Sequence, residues 1–146
     1  LRNLNRLRIQ SRKLEKLDGI ELTPDLSDVS FVGCPKLSDI SAIRRLNGLR
    51  NAMFFACKQV NDLAPFDGME MLERLHLENG IEVASVHPLS ACKHLRELYL
   101  IGMKVADGDL SPLLALPKLE KVAIAKKKNH SHSMQEINAA IFKESH

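Results

Sequence analysis

The sequence predicts an α/β solenoid, in which short coils of chain stack side by side around a shared core. A phrase of the form L-x-x-Φ-x-Φ, where Φ is apolar, occurs six times in the 146 residues. Its copies are separated by 22, 23, 23, 23 and 24 residues. A near-constant period in the twenties is typical of stacked repeat arrays. The copies start at Leu4, Leu26, Leu49, Leu72, Leu95 and Leu119.

Each phrase predicts one β-strand. Successive side chains of a strand point to opposite faces, so apolar residues at the fourth and sixth places of the phrase are expected to enter the core. Equivalent strands of successive coils would then pair in parallel on the concave face. The inward pairs are Leu7/Ile9, Val29/Phe31, Ala52/Phe54, Leu75/Leu77, Leu98/Leu100 and Val122/Ile124.

The linkers between phrases carry an apolar residue at every third position, which suits a 3₁₀-like or short helical turn on the convex face. The first linker is shorter, and its Leu14, Leu17 and Ile20 are expected to be out of step with the others. The regular series are Leu37, Ile40, Ile43, Leu46, then Val60, Leu63, Phe66, Met69, then Val83, Val86, Leu89, Cys92, and finally Leu110, Leu113, Leu116.

A helix is predicted to close the end of the array. Ser133 and Glu136 have the spacing of a capping box, and Met134, Ile137 and Ile141 then fall on one helical face. We expect a solenoid over residues 1–127 and a C-terminal cap or tail over residues 128–146.

The six phrases resemble the signature of the leucine-rich-repeat family, and the compact period resembles its internalin-like branch. The family usually places Asn at the ninth position, whereas only the two cysteines here fit that consensus, so the turns are expected to be irregular. The ninth positions are Arg12, Cys34, Cys57, Gly80, Met103 and Lys127.

The resemblance implies a non-enzymatic module that binds a protein partner on the concave sheet face. The third, fifth and seventh places of each phrase line that face, and several hold apolar or aromatic side chains among charges. Such a cluster is typical of a binding hot spot with a polar rim, although scattered apolar residues are also common on surfaces. The candidate partner-binding residues are Met53, Phe55, Arg74, His76, Glu78, Glu97, Tyr99 and Ile101.

Other kinds of site have little support. Cofactors and small-molecule substrates are not expected, since the chain has no phosphate-binding glycine loop or nucleophile elbow. The pair His130 and His132 falls short of the ligands of a structural zinc site. No apolar stretch approaches the roughly 20 residues that cross a bilayer. Three regularly spaced cysteines favour reduced packing residues and a cytoplasmic location.

Three alternatives remain open from the sequence. In the first alternative the chain is an inhibitor or immunity-type protein. In the second it is an architectural segment of a larger protein, since no cap precedes Leu1 and upstream residues are expected. The third alternative is nucleic-acid or phospholipid binding through the two basic ends. These ends comprise Arg2, Arg6, Arg8, Arg12, Lys13 and Lys16, and Lys118, Lys121, Lys126, Lys127 and Lys128.

Overall fold

The computed structural model describes residues 4–125 and 130–145. Six strands form one sheet in the order β1-β2-β3-β4-β6-β8, and every neighbouring pair is parallel. The two-residue strands β5 and β7 form a second, small parallel pair. The strands are β1 (Arg6–Ile9), β2 (Asp28–Val32), β3 (Asn51–Phe55), β4 (Arg74–Glu78), β5 (Glu82–Val83), β6 (Glu97–Ile101), β7 (Lys104–Val105) and β8 (Lys121–Ile124).

Short 3₁₀ helices carry the chain back along the opposite side of each coil. They comprise Ile20–Leu22, Ser41–Arg45, Ala64–Phe66, His87–Ala91 and Ser111–Ala115. The parallel sheet with 3₁₀ returns and a C-terminal helix confirms the predicted fold class.

The core is a spine of apolar side chains between the sheet and the returns. The fourth and sixth phrase positions of β2, β3, β4, β6 and β8 are all buried. Aromatic rings continue the spine from coil to coil. Phe31 and Phe54 stack at 5.3 Å between ring centroids, and Phe54 meets Phe66 edge to face at 6.3 Å. Each coil therefore depends on its neighbours for burial.

The first linker is in step with the others, contrary to the expectation. The N–H of Ile20 donates to the carbonyl of Leu17 at 3.0 Å, as Ile43 does to Ile40 at 3.0 Å. Leu17 and Ile20 precede Leu26 by the same intervals that separate the equivalent residues from the next phrase. The one residue that the first linker lacks is therefore missing between β1 and Leu14.

The turns after the strands are also more regular than expected. The eighth phrase position is left-handed in four successive coils, with φ of 61°, 56°, 57° and 70°. Gly33, Ala56, Asn79 and Gly102 hold these positions. The N–H groups of Gly33, Ala56 and Asn79 donate to the next coil at 2.8, 2.8 and 3.0 Å. The repeated backbone, rather than an asparagine ladder, keeps the turns alike.

Buried cysteine thiols supply some of the hydrogen bonds that an asparagine ladder would make to the backbone. At the ninth position, Cys57 Sγ donates to the carbonyls of Phe31 at 3.4 Å and Phe55 at 3.5 Å, and Cys34 Sγ donates to those of Ile9 at 3.8 Å and Val32 at 3.7 Å. Cys92, which lies at the end of a 3₁₀ return, donates from Sγ to the carbonyl of Phe66 at 3.1 Å. All three cysteines are free and buried. Burial raises the pKa of Cys57 and that of Cys92 to about 11.

Acidic or hydroxyl side chains support the start of four 3₁₀ returns. The carboxylates of Asp39, Asp62 and Asp109 accept the N–H two residues ahead at 2.9, 2.9 and 3.0 Å. The Ser85 hydroxyl does the same for His87 at 3.0 Å. Such local bonds replace the backbone partners that the first residues of a helical turn lack.

The C-terminal helix α1 (Met134–Ser145) closes the array as predicted. The N–H of Glu136 donates to Ser133 Oγ at 3.1 Å, and the N–H of Ser133 donates back to Glu136 Oε1 at 3.2 Å. Ile137 is fully buried, and Ile141 packs against the core. The helix contacts β8 and the last 3₁₀ return.

Candidate functional site

The open face of the sheet presents the third, fifth and seventh phrase positions in rows, because the strands pair in exact parallel register. The fifth-position row runs through Ser30, Met53, His76 and Tyr99, and the seventh-position row through Val32, Phe55, Glu78 and Ile101. The third-position row is Arg6, Asp28, Asn51, Arg74, Glu97 and Lys121. The register therefore brings the eight candidate residues together on β3, β4 and β6.

Glu97 is held by two other side chains on this face. Tyr99 donates its hydroxyl to Glu97 Oε1 at 2.6 Å, and Arg74 donates from Nε to Oε2 at 2.9 Å. The Tyr99 hydroxyl, followed by the Arg74 guanidinium, lowers the pKa of Glu97 below its usual 4.5. The same hydrogen bond raises the pKa of Tyr99 above 10.0. The three side chains form one pre-organised polar unit.

A second pair lies beside this unit. His76 Nε2 is 3.2 Å from Glu78 Oε2, with the two side chains 24% and 28% exposed. The His76 ring lies next to the Tyr99 ring, with centroids 5.1 Å apart and planes tilted by 43°. His76 therefore contacts an aromatic ring on one side and a carboxylate on the other, both on the open face.

The apolar residues of this face, which are three candidates and Val32, differ in exposure. Val32, Met53 and Phe55 are half-buried by their neighbours on the sheet, whereas Ile101, at the end of β6, is 37% exposed. The apolar surface is therefore concentrated near the carboxyl ends of the strands, and most of it lies in the seventh-position row.

Ile81 was missed by the sequence interpretation, although it is 64% exposed. It lies in the loop after β4, past the last residue of the predicted strand. The N–H of Lys104 donates to the Ile81 carbonyl at 3.3 Å, and the N–H of Asn79 donates to that of Ile101 at 3.0 Å. Both isoleucines thus lie at the carboxyl ends of the strands. An apolar residue at the tenth phrase position, where the neighbouring coils have Lys58 and Lys104, was the available signal.

A ladder of alternating charge at the second phrase position was also missed. Arg50 pairs with Glu73 at 3.4 Å, and Arg96 pairs with Glu120 at 3.0 Å and approaches Glu73 at 3.9 Å. The alternation Arg, Glu, Arg, Glu at this place of successive phrases was the signal for it. A polar pocket of about 290 Å³ lies between this ladder and the third-position row, lined by Asn51, Glu73, Arg74, Arg96 and Glu97.

The basic ends are partly neutralised. Arg6 lies 3.2 Å from Asp28, and Lys16 lies 3.4 Å from Asp18. Arg2, Lys126, Lys127 and Lys128 lie outside the described residues.

The absence of metal and membrane sites is a property of residues 4–125 and 130–145. No group of three or more potential metal ligands occurs there. His130 Nε2 instead accepts from the N–H of Val105 at 3.4 Å. No helix in this part of the chain is long and apolar enough to span a bilayer.

Several solved structures are similar to this chain. Internalin C2 from Listeria monocytogenes is similar over 80% of this chain and 71% of its own, with 17% identity and a TM-score of 0.44. No family model matches the chain, and no curated protein matches it. The chain's own backbone, with its parallel strands every 22 to 24 residues and its 3₁₀ returns, has the leucine-rich-repeat fold.

Proposed function

We propose that this chain is a non-enzymatic module that recognises a protein partner through the open face of its sheet. The supporting observation is a group of apolar side chains, Met53, Phe55 and Ile101, beside the charges of Arg74 and Glu97, which are already paired with one another. The proposed contact residues are Met53, Phe55, Arg74, His76, Glu78, Glu97, Tyr99 and Ile101.

The paired charges favour recognition because they are pre-organised. Arg74 and Tyr99 already hold Glu97, so docking a partner does not have to order these side chains. Tyr99 adds a rigid ring with a polar tip, which is the type of side chain that carries binding energy at interface centres. An open, pre-ordered surface of this kind suits a folded protein better than a small molecule, which needs a pocket that encloses most of its surface.

The size of the face indicates that the loops take part. Six strands at a spacing of about 4.8 Å give a sheet roughly 24 Å wide, and three exposed residues cover about 10 Å of each strand. A standard interface buries about 800 Å² on each partner, which is more than this area. Ile81, in the loop after β4, is placed to enlarge the contact at the strand ends.

Affinity capture with identification by mass spectrometry tests the proposal, followed by the double substitution Phe55→Ala with Tyr99→Ser. We expect this variant to lose the captured partner while keeping its fold by circular dichroism. The matched control is Leu22→Ser with Met71→Ser, which removes two apolar residues, 77% and 40% exposed, outside the proposed contact set.

Three outcomes would argue against the open face. Undiminished capture by the double variant would remove it as the site. Equal loss in the control would show a general surface effect rather than a specific contact. Binding that survives the double variant and falls steeply with salt would point to the basic ends instead.

A further inference from the structure

Glu78 stands between an aromatic and an aliphatic side chain on the open face. The register pairs Phe55 with Glu78 on one side and Glu78 with Ile101 on the other. Neighbouring strands are about 4.8 Å apart, so Phe55 and Ile101 start roughly 10 Å from each other. That separation is wide enough for a flat group about 3.5 Å thick to stand between the two side chains and meet the Glu78 carboxylate. We call this arrangement the Glu78 slot.

The charge of Glu78 is less compensated than that of its neighbours. Glu97 is held by Arg74, and Glu73 by Arg50. Within residues 4–125 and 130–145, no arginine or lysine forms an ion pair with Glu78, whose carboxylate contacts His76. The slot therefore attracts a cation that also has apolar or planar surface.

We propose that the Glu78 slot binds an arginine side chain of the protein partner; this rests on the proposed function. The guanidinium lies over the Phe55 ring, where its charge interacts with the ring face. Its N–H groups donate to the Glu78 carboxylate, and its methylene chain covers Ile101. Arginine fits better than lysine because its cation is planar and more weakly hydrated.

Ile81 indicates what stands beside that arginine. It is 64% exposed and lies, like Ile101, at the carboxyl ends of the strands. The next residue along the chain is Glu82. Glu82 is already paired with Lys104 at 3.8 Å, so the contact that this loop leaves unused is the apolar side chain of Ile81 itself. The partner segment is therefore an arginine next to an apolar residue.

A library of random linear dodecapeptides displayed on phage, selected on the intact protein, tests the inference. We expect the enriched peptides to contain an arginine beside an apolar residue. Replacing that arginine by citrulline, which keeps the shape and removes the charge, should weaken binding at least about tenfold. Glu78→Gln should weaken the arginine peptide to a similar extent and leave the citrulline peptide unchanged. Glu82→Gln is the control, because it removes the same charge from a neighbouring, paired site.

The outcomes separate this inference from the proposed function. Peptides that lose binding with Phe55→Ala and Tyr99→Ser, but not with Glu78→Gln, would overturn the slot and retain the open face. Peptides that are insensitive to all of these substitutions would overturn both. An equal effect of Glu82→Gln and Glu78→Gln would show attraction to net charge and would also overturn the slot.

Discussion

The end of the Met103 side chain occupies the space into which a side chain on Gly80 would point. A β-carbon on Gly80 would lie 2.8 Å from Cε and 3.1 Å from Sδ of Met103. The two residues hold the ninth phrase position in neighbouring coils, and Met103 is buried with 1% exposure. A missing side chain in one coil is therefore compensated by a long one from the next.

This complementarity predicts a non-additive pair of substitutions. Gly80→Ala should cost about 1 kcal/mol, because the flexible end of Met103 has to shift. Met103→Ala should cost about 2–5 kcal/mol by leaving a cavity. In the Met103→Ala background, Gly80→Ala should be close to neutral, since its methyl group enters that cavity. Urea unfolding measures all four proteins, and simple additivity would contradict the relationship.

Replacing Ala56 by glycine should stabilise the folded protein. It has φ of 56°, where Gly33 and Gly102 occupy the equivalent position in other coils. The left-handed conformation costs an L-residue about 1–2 kcal/mol, and the greater chain entropy of glycine offsets about 0.5–1 kcal/mol of that. We expect Ala56→Gly to raise the free energy of unfolding by about 0.5–1 kcal/mol. Ala52→Gly, in a buried strand position, is the control and should be destabilising. A loss of stability in Ala56→Gly would show that its turn is not strained.

The hydrogen bond from Tyr99 to Glu97 predicts a pH effect. The pKa of Glu97 is lowered in the folded state, so the stability it contributes is present above pH 4.5 and is lost as the pH falls through the lowered value. Tyr99→Phe should raise the pKa of Glu97 and reduce this acid-dependent loss. Carboxyl carbon chemical shifts followed against pH test this. The same Glu97 titration in both proteins would contradict the hydrogen bond.

The terminal helix should protect the last coil. Ile137→Ala should cost about 2–4 kcal/mol, since this fully buried side chain belongs to the core and its helix packs against β8. Ser133→Ala should cost about 1 kcal/mol by removing the acceptor for the N–H of Glu136. Hydrogen exchange should accelerate in β8 (Lys121–Ile124) and remain slow in β3. Uniform acceleration in both strands would show that the array unfolds as one unit.

Two thiols should be unreactive in the folded protein. Burial raises the pKa of Cys57 and Cys92 to about 11, so thiolate is scarce at pH 8 and access is blocked. Mass spectrometry after exposure to an aromatic disulfide reagent should find both residues unmodified without denaturant and modified in urea. Rapid labelling of either residue in the native protein would contradict its burial.

Much of the candidate site followed from the repeat alone. Once one strand position is known to be buried, alternation assigns the exposed positions of the same coil, and a constant period aligns them between coils. Tyr99, His76 and Met53 were placed in one row by this reasoning, and the register agrees. Ile81 was missed because it lies just past the strand, where alternation no longer applies.

The sequence by itself determined the coil, its period and the direction of each strand side chain, because these depend on local backbone geometry and on the burial of apolar residues. Only the tertiary structure decided that Arg74 and Tyr99 hold Glu97, that Glu78 has Phe55 and Ile101 beside it, and that Met103 fills the space at Gly80. The physical reason is that most of these contacts join neighbouring coils. Their distances depend on side-chain size and rotamer, which a repeat period does not encode.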